Sequence, residues 1–186
     1  MSRTTVADVV VDGLRRAGTP RLVGVASSGP DLPILDAARA VGLPVVLAAG
    51  ARGACVIAAV TGDLADAPGA VVLGDEPAVV SASRGMPEGA PFIVVTSGYP
   101  SAMPGCKETL RVETESAAHR IAHAARLAMT EPRGPVHLDI PADVVGRSAV
   151  PLEEGLIAAE PSQVKPTPGD SLPPKPRKAK TQRRRR

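Results

Sequence analysis

Short runs of Val, Leu and Ile alternate with Ala-rich stretches of helical period over the first 140 residues of the chain. Thr5-Val-Ala-Asp8 reads as a helix cap with an acidic residue three positions on, and Val6, Val9, Val10, Leu14 and Ala17 recur at helical spacing until Gly18. A strand follows over Arg21–Ala26, then a Ser27-Ser-Gly-Pro30 turn and a helix over 31–41, with Leu32, Leu35 and Ala38 or Arg39 turned inward and Gly42 ending it. The period continues as strand Leu43–Ala48, helix 52–61, strand Gly69–Leu73, a short helix near 77–85 and strand Pro91–Thr96. Beyond a Pro/Gly-rich loop over 98–106 come a short strand Thr109–Val112, a long helix Glu115–Met129 and a last strand Pro135–Ile140.

Apolar strands that alternate with helices predict an α/β fold of the doubly wound kind. About six strands form a mostly parallel sheet with helices on both faces, joined by right-handed crossovers. In such a sheet, ligands collect at the carboxyl ends of the strands. The core that fills it is unusual, because Phe92 and Tyr99 are the only aromatic residues and Trp is absent. Val, Ala, Leu and Ile must therefore fill the interior, as the Val-rich strands and Ala-rich helices allow.

The formal net charge of +3 conceals an asymmetry: residues 1–160 hold 13 basic and 18 acidic residues, whereas 161–186 hold nine basic and one acidic. The latter segment also contains six prolines and has no apolar periodicity. The chain is thus read as a domain over 1–150 and a disordered Pro-rich basic tail over 151–186. Clusters at Lys175–Lys180 and Arg183–Arg186 would attract phosphate polymers weakly and in a salt-dependent way, and without interleaved aromatic residues they lack base preference. The body carries no basic face of the kind a nucleic-acid-binding fold presents.

Cys55 and Cys106 are the only cysteines and form no CxxC pair, which indicates neither a disulfide framework nor a zinc site and suits a reducing cytoplasm. No apolar run reaches the length of about 18 residues a membrane span requires, so a cytoplasmic location is expected. His119 and His123 lie four apart on the long helix, but two ligands make a poor metal site, and no metal is expected. His137 alternates with Val136 and Leu138 on a strand and reads as structural. Cys55, just inside a helix N-terminus, has two readings: a thiol of lowered pKa or a small buried residue.

The block Glu131-Pro-Arg-Gly-Pro-Val-His-Leu-Asp-Ile-Pro-Ala-Asp-Val144, preceded by a long helix, resembles the end of the N-terminal, pyrimidine-binding domain of acetolactate-synthase-like thiamine-diphosphate enzymes. The opening is similar to that family's first βα unit: a capped helix, Asp12-Gly-Leu-Arg-Arg-Ala-Gly18, then Leu22-Val-Gly-Val25 and a Gly/Ser turn. Together the matched segments cover roughly residues 4–147.

The resemblance implies cofactor contacts at Ser28 and Gly29, at Ala51, and at Gly74, Asp75 and Glu76. It also places departures there. The family's catalytic glutamate, which hydrogen-bonds a ring nitrogen of the aminopyrimidine, aligns on Ala51, and its Gly-Pro-Gly turn reads Gly74-Asp-Glu76. Alanine has no proton to share, so the ordinary activation of the cofactor is lost. Glu76 is one source of a replacement carboxylate, and a solvated acidic turn is the plainer reading. No GDG with a downstream Asn occurs, and Thr61-Gly-Asp63 does not serve, so magnesium and diphosphate have no site in this chain.

The resemblance therefore implies a stand-alone subunit, inactive alone, that holds thiamine diphosphate only with a diphosphate-domain partner and takes part in 2-oxo acid decarboxylation or carboligation. The alternative is a degenerate interaction domain that self-associates through the pyrimidine-domain surface and has lost the cofactor. Residue 51 is expected at the carboxyl edge of the sheet, facing an open crevice where a glutamate would be tolerated.

Overall fold

Thr5 caps the first helix as its sequence requires: its hydroxyl accepts the Asp8 N–H at 3.2 Å while its own N–H donates to Asp8 Oδ2 at 2.8 Å. The computed structural model describes residues 3–25, 29, 31–74, 76–83 and 86–153. Their elements are α1 (Val6–Arg16), β1 (Leu22–Val25), α2 (Leu32–Ala40), β2 (Val45–Ala48), α3 (Ala51–Ala65), β3 (Gly69–Leu73), α4 (Glu76–Ser83), β4 (Phe92–Ser97), β5 (Thr109–Arg111), α5 (Ala117–Met129) and β6 (Val136–Ile140). Six strands pair in the order β2-β1-β3-β4-β6-β5, every pair parallel. This is the doubly wound α/β fold.

The strands are apolar on both faces because helices cover both faces. Leu22, Ala70, Val72, Ile93, Val95, Val136 and Leu138 pack in one core with α1, α2 and α5. Their chain neighbours Val23, Val71, Phe92 and Val94 pack in a second core with α3 and α4. Against the predicted helix over 52–61, α3 runs on to Ala65 and ends at Asp66, whose backbone is left-handed at φ 49. Gly62 does not break it. A Cβ on Gly62 would collide with the Pro91 carbonyl, and one on Gly69 with the Ala58 carbonyl, so these glycines let α3 lie backbone to backbone on the sheet.

Lys107 fastens the far side, its ammonium donating to the carbonyls of Leu127 at 2.6 Å and Thr130 at 2.8 Å where α5 ends. At the other extremity, Thr5 bridges Ser148 in antiparallel fashion, and Val6 N donates to the Arg147 carbonyl at 2.9 Å. Leu152 is buried in the first core, two residues past the predicted boundary at 150. The rest of the predicted tail, from residue 154, lies outside the described residues. Among the described residues, no helix is long and apolar enough to cross a membrane.

Candidate functional site

The chain winds from β1 outward to β2 and then returns to place β3 on the other side of β1. The connections therefore leave the carboxyl ends of β1 and β3 in opposite directions and open a crevice between them. Gly24 pairs with Val72 in register, so Val25 and Leu73 end side by side. Gly29 follows β1 and is half-buried; Gly74 follows β3 and is buried. Val25 also pairs with Ala48, the last residue of β2, and two residues later α3 begins at Ala51. The fold thus brings the loops carrying Gly29, Ala51, Gly74 and Glu76 to one end of three adjacent strands. Ser28, Asp75 and the side chain of Glu76 lie outside the described residues.

Ala51 does not face an open crevice. It is 6% exposed and packs in the second core with Ala48, Ala54 and Val23. The close approach of α3 to β3 draws the first turn of the helix inward and seats the Ala51 methyl on the sheet. A carboxylate at this position would be buried in the isolated chain.

Asp31 carries no site signal in the sequence, where it only opens the helix predicted over 31–41. Its place before a helix reads as an N-cap, yet its backbone is right-handed helical and its side chain makes no capping hydrogen bond. It is fully buried, in the loop after β1, and brings a carboxylate to this end of the sheet.

A second polar cluster lies on β4, β5 and β6. His137 and Asp139 project from the same face of β6 as Thr96 projects from β4, and all three are buried. Asp139 Oδ1 accepts the Thr96 hydroxyl at 3.1 Å and the Tyr99 N–H at 2.6 Å, while Oδ2 lies 3.4 Å from the Arg111 guanidinium. With its hydrogen given to Asp139, Thr96 must accept from His137 Nε2, 2.8 Å away. His137 Nδ1, 3.1 Å from Thr109 Oγ1, then accepts from that hydroxyl, and Thr109 in turn accepts the Met103 N–H at 3.2 Å. Every donor in the row has an acceptor only if His137 is neutral with its proton on Nε2. Burial pushes its pKa down to about 4, outweighing the pull of Asp139 in the other direction.

This network straps the loop over 98–107 to the sheet through the Tyr99 and Met103 N–H groups, with the Tyr99 ring 6.1 Å from the imidazole. What the sequence reading missed was its extent. The one signal for it was a polar residue at both 137 and 139 on a strand otherwise expected to be buried.

Cys55 is fully buried and its thiol is pushed up to about 12 by that burial, against the reading of a lowered pKa. Desolvation outweighs the helix N-terminus there. Cys106 is also raised to about 12, first by burial and then by Cys55, and its Sγ lies 3.6 Å from Met86 Sδ. His119 is exposed, and His123 Nε2 is 3.6 Å from the Glu108 carboxylate. Among the described residues, no group of three or more His, Cys, Asp or Glu is placed to hold a metal ion. An open groove of about 370 Å³ beside α1, lined by Arg3, Asp8, Asp12 and Leu152 among others, includes none of the predicted site residues.

No family model matches the chain, and no curated protein matches it.

Proposed function

We propose that this chain is a pyrimidine-type domain of the thiamine-diphosphate enzyme superfamily that acts as a non-catalytic subunit. A separate chain with the diphosphate domain would complete the site, and the pair would break or form a carbon–carbon bond at a 2-oxo acid. The observation that carries the reading is the convergence of the loops after β1, β2 and β3 at the switch point. These are the loops where the resemblance puts the cofactor contacts, and β6 ends in the Leu138-Asp-Ile-Pro141 segment that marks the family likeness.

The residues present do not fit thiamine diphosphate as its activating group. Ala51 presents a buried methyl where the family has a carboxylate, so no proton transfer to a ring nitrogen is derived from this chain. What the chain supplies is a packed apolar end of the sheet, where Val23 and Ala48 lie in the second core with Ala51 and Ala54 of the first turn of α3. Two cysteines that are free and not bonded to each other fit a reducing compartment such as the cytoplasm.

The burial of Ala51 favours a second reading, a degenerate interaction domain that retains the fold and has lost the cofactor. One experiment separates them. The full chain is recovered with its bound partner from its native host, and the complex is assayed for thiamine diphosphate and for 2-oxo acid turnover, beside the pure chain with added cofactor and magnesium. The proposal expects cofactor and turnover in the complex and neither in the pure chain. A complex without cofactor leaves the degenerate domain, and turnover by the pure chain removes both readings.

A further inference from the structure

Sulfur is concentrated at one place in this fold. The chain has two cysteines and four methionines, and Cys55, Cys106, Met86 and Met103 all join the second core. They arrive from separate segments: the N-terminal part of α3, the stretch after α4, and the loop between β4 and β5. Ala and Val supply most of the rest of that core, so sulfur is not its general filling.

Met103-Pro-Gly-Cys106 is a tight turn, in which the Cys106 N–H donates to the Met103 carbonyl at 3.2 Å and Gly105 is left-handed at φ 87. Proline in second place and a glycine of positive φ in third are the type II pattern, which sets the first and fourth residues side by side. The same two-residue spacing separates paired sulfur ligands in many metal-binding turns. The turn lies against Met86: a Cβ on Gly105 would stand 3.8 Å from its Sδ, and Cys106 Sγ is 3.6 Å from that same atom. Two sulfurs bound to one ion at about 2.3 Å stand roughly 3.8–4.0 Å apart. Cys106 and Met86 are therefore close to the spacing of two ligands of one metal.

Cys55 offers a third sulfur. It is fully buried in the same core and near enough to Cys106 to raise its pKa, whereas Cys106 and Met86 are half-buried and leave an ion a way in. A thioether is a soft, uncharged ligand, and thiolates combined with one favour cuprous copper over harder divalent ions. Among the described residues, no further His, Cys, Asp or Glu joins the two thiols to make the set that zinc takes.

We propose that Cys55, Cys106 and Met86 form a three-sulfur site for a single cuprous ion, with Met103, 2% exposed at the other end of the turn, shielding it from water. Binding forms three copper–sulfur bonds, releases the two thiol protons to solvent and changes no oxidation state. Without the ion, burial keeps both thiols protonated; with it, the metal takes the place of the protons and cancels one of the two thiolate charges. The proposal rests on these sulfurs alone and holds whether or not the chain binds thiamine diphosphate.

Anaerobic titration of the full chain with Cu(I) tests it, with ascorbate keeping the copper reduced and bicinchoninate as competing chelator. The parent should take one equivalent from the chelator, with an ultraviolet thiolate-to-copper charge-transfer band and an X-ray absorption shell of sulfur alone. C55A and M86L each remove one donor from an apolar setting and should keep the parental circular dichroism. Each should weaken binding by at least about tenfold, since even loss of a group behind a metal ligand costs that much. A parent chain that takes no copper from bicinchoninate overturns the proposal. So does M86L with parental affinity, which would mean adventitious capture by the thiols only, or zinc held as tightly as copper.

Discussion

His137 Nε2 and Thr96 Oγ1 meet at 2.8 Å across the β4–β6 seam, and the direction of the hydrogen between them is set by Asp139, which takes the hydroxyl hydrogen of Thr96 at 3.1 Å. The arrangement holds the imidazole neutral in a place where it cannot readily be charged.

The consequence is an acid-sensitive fold. The His137 pKa falls from 6.5 to about 4 in the folded chain. Between those values the unfolded state binds the extra proton and the folded state does not, so stability is full above pH 6.5 and declines as pH falls toward 4. The loss from this group is about 3 kcal/mol. Denaturant titrations of the parent and of His137→Gln check it: the variant should be less stable at pH 7.5 and should lose less between pH 6.5 and 4. An equal acid loss in both would assign the decline to other groups.

The seat of α3 on β3 predicts opposite effects for two glycines. Gly69→Ala would force a methyl into the Ala58 carbonyl and should destabilise by more than about 3 kcal/mol. Gly53→Ala adds its methyl in open space on the same helix and should raise stability by about 0.5–1 kcal/mol. Thermal melts of the two variants are the measurement, and near-equal midpoints would contradict the packing described.

Ala51→Glu is expected to be destabilising by about 2 kcal/mol, because the 6% exposed methyl is part of the core and the new carboxylate would have to be desolvated or push the first turn of α3 outward. The loss should lessen at pH 4, where the carboxyl is neutral. A variant of parental stability at pH 7.5 would show that the crevice is open at residue 51 after all.

Two truncations isolate the contribution of Leu152 from that of the residues beyond it. A chain ending at Glu153 keeps the buried leucine and is expected to melt with the full chain. Ending at Val150 removes that leucine from the first core, a loss of about 2 kcal/mol and several degrees. Equal midpoints for both truncations would show that Leu152 contributes nothing.

The eleven elements were legible in the sequence because the signals for them are local. A capping box at Thr5 and Asp8, glycines at 18 and 42, and Val-rich runs of strand length act within a few residues of themselves. Their alternation also implied parallel pairing, since a helix between two strands returns the chain to the same end of the sheet. The position of residue 51 at the carboxyl edge came from the same reasoning. Which way its side chain turns did not, because that depends on how closely α3 approaches β3, and the approach is set by Gly62 and Gly69, distant from Ala51 in sequence. The same holds for Asp31, whose capping pattern was local and whose burial was not. It holds again for the polar row through Thr96, Thr109, His137 and Asp139, drawn from three strands. Local periodicity determined the elements and the end of the sheet where the loops collect. Contacts between residues far apart in the chain decided which of those side chains are buried, which hold a proton, and which sulfurs come together.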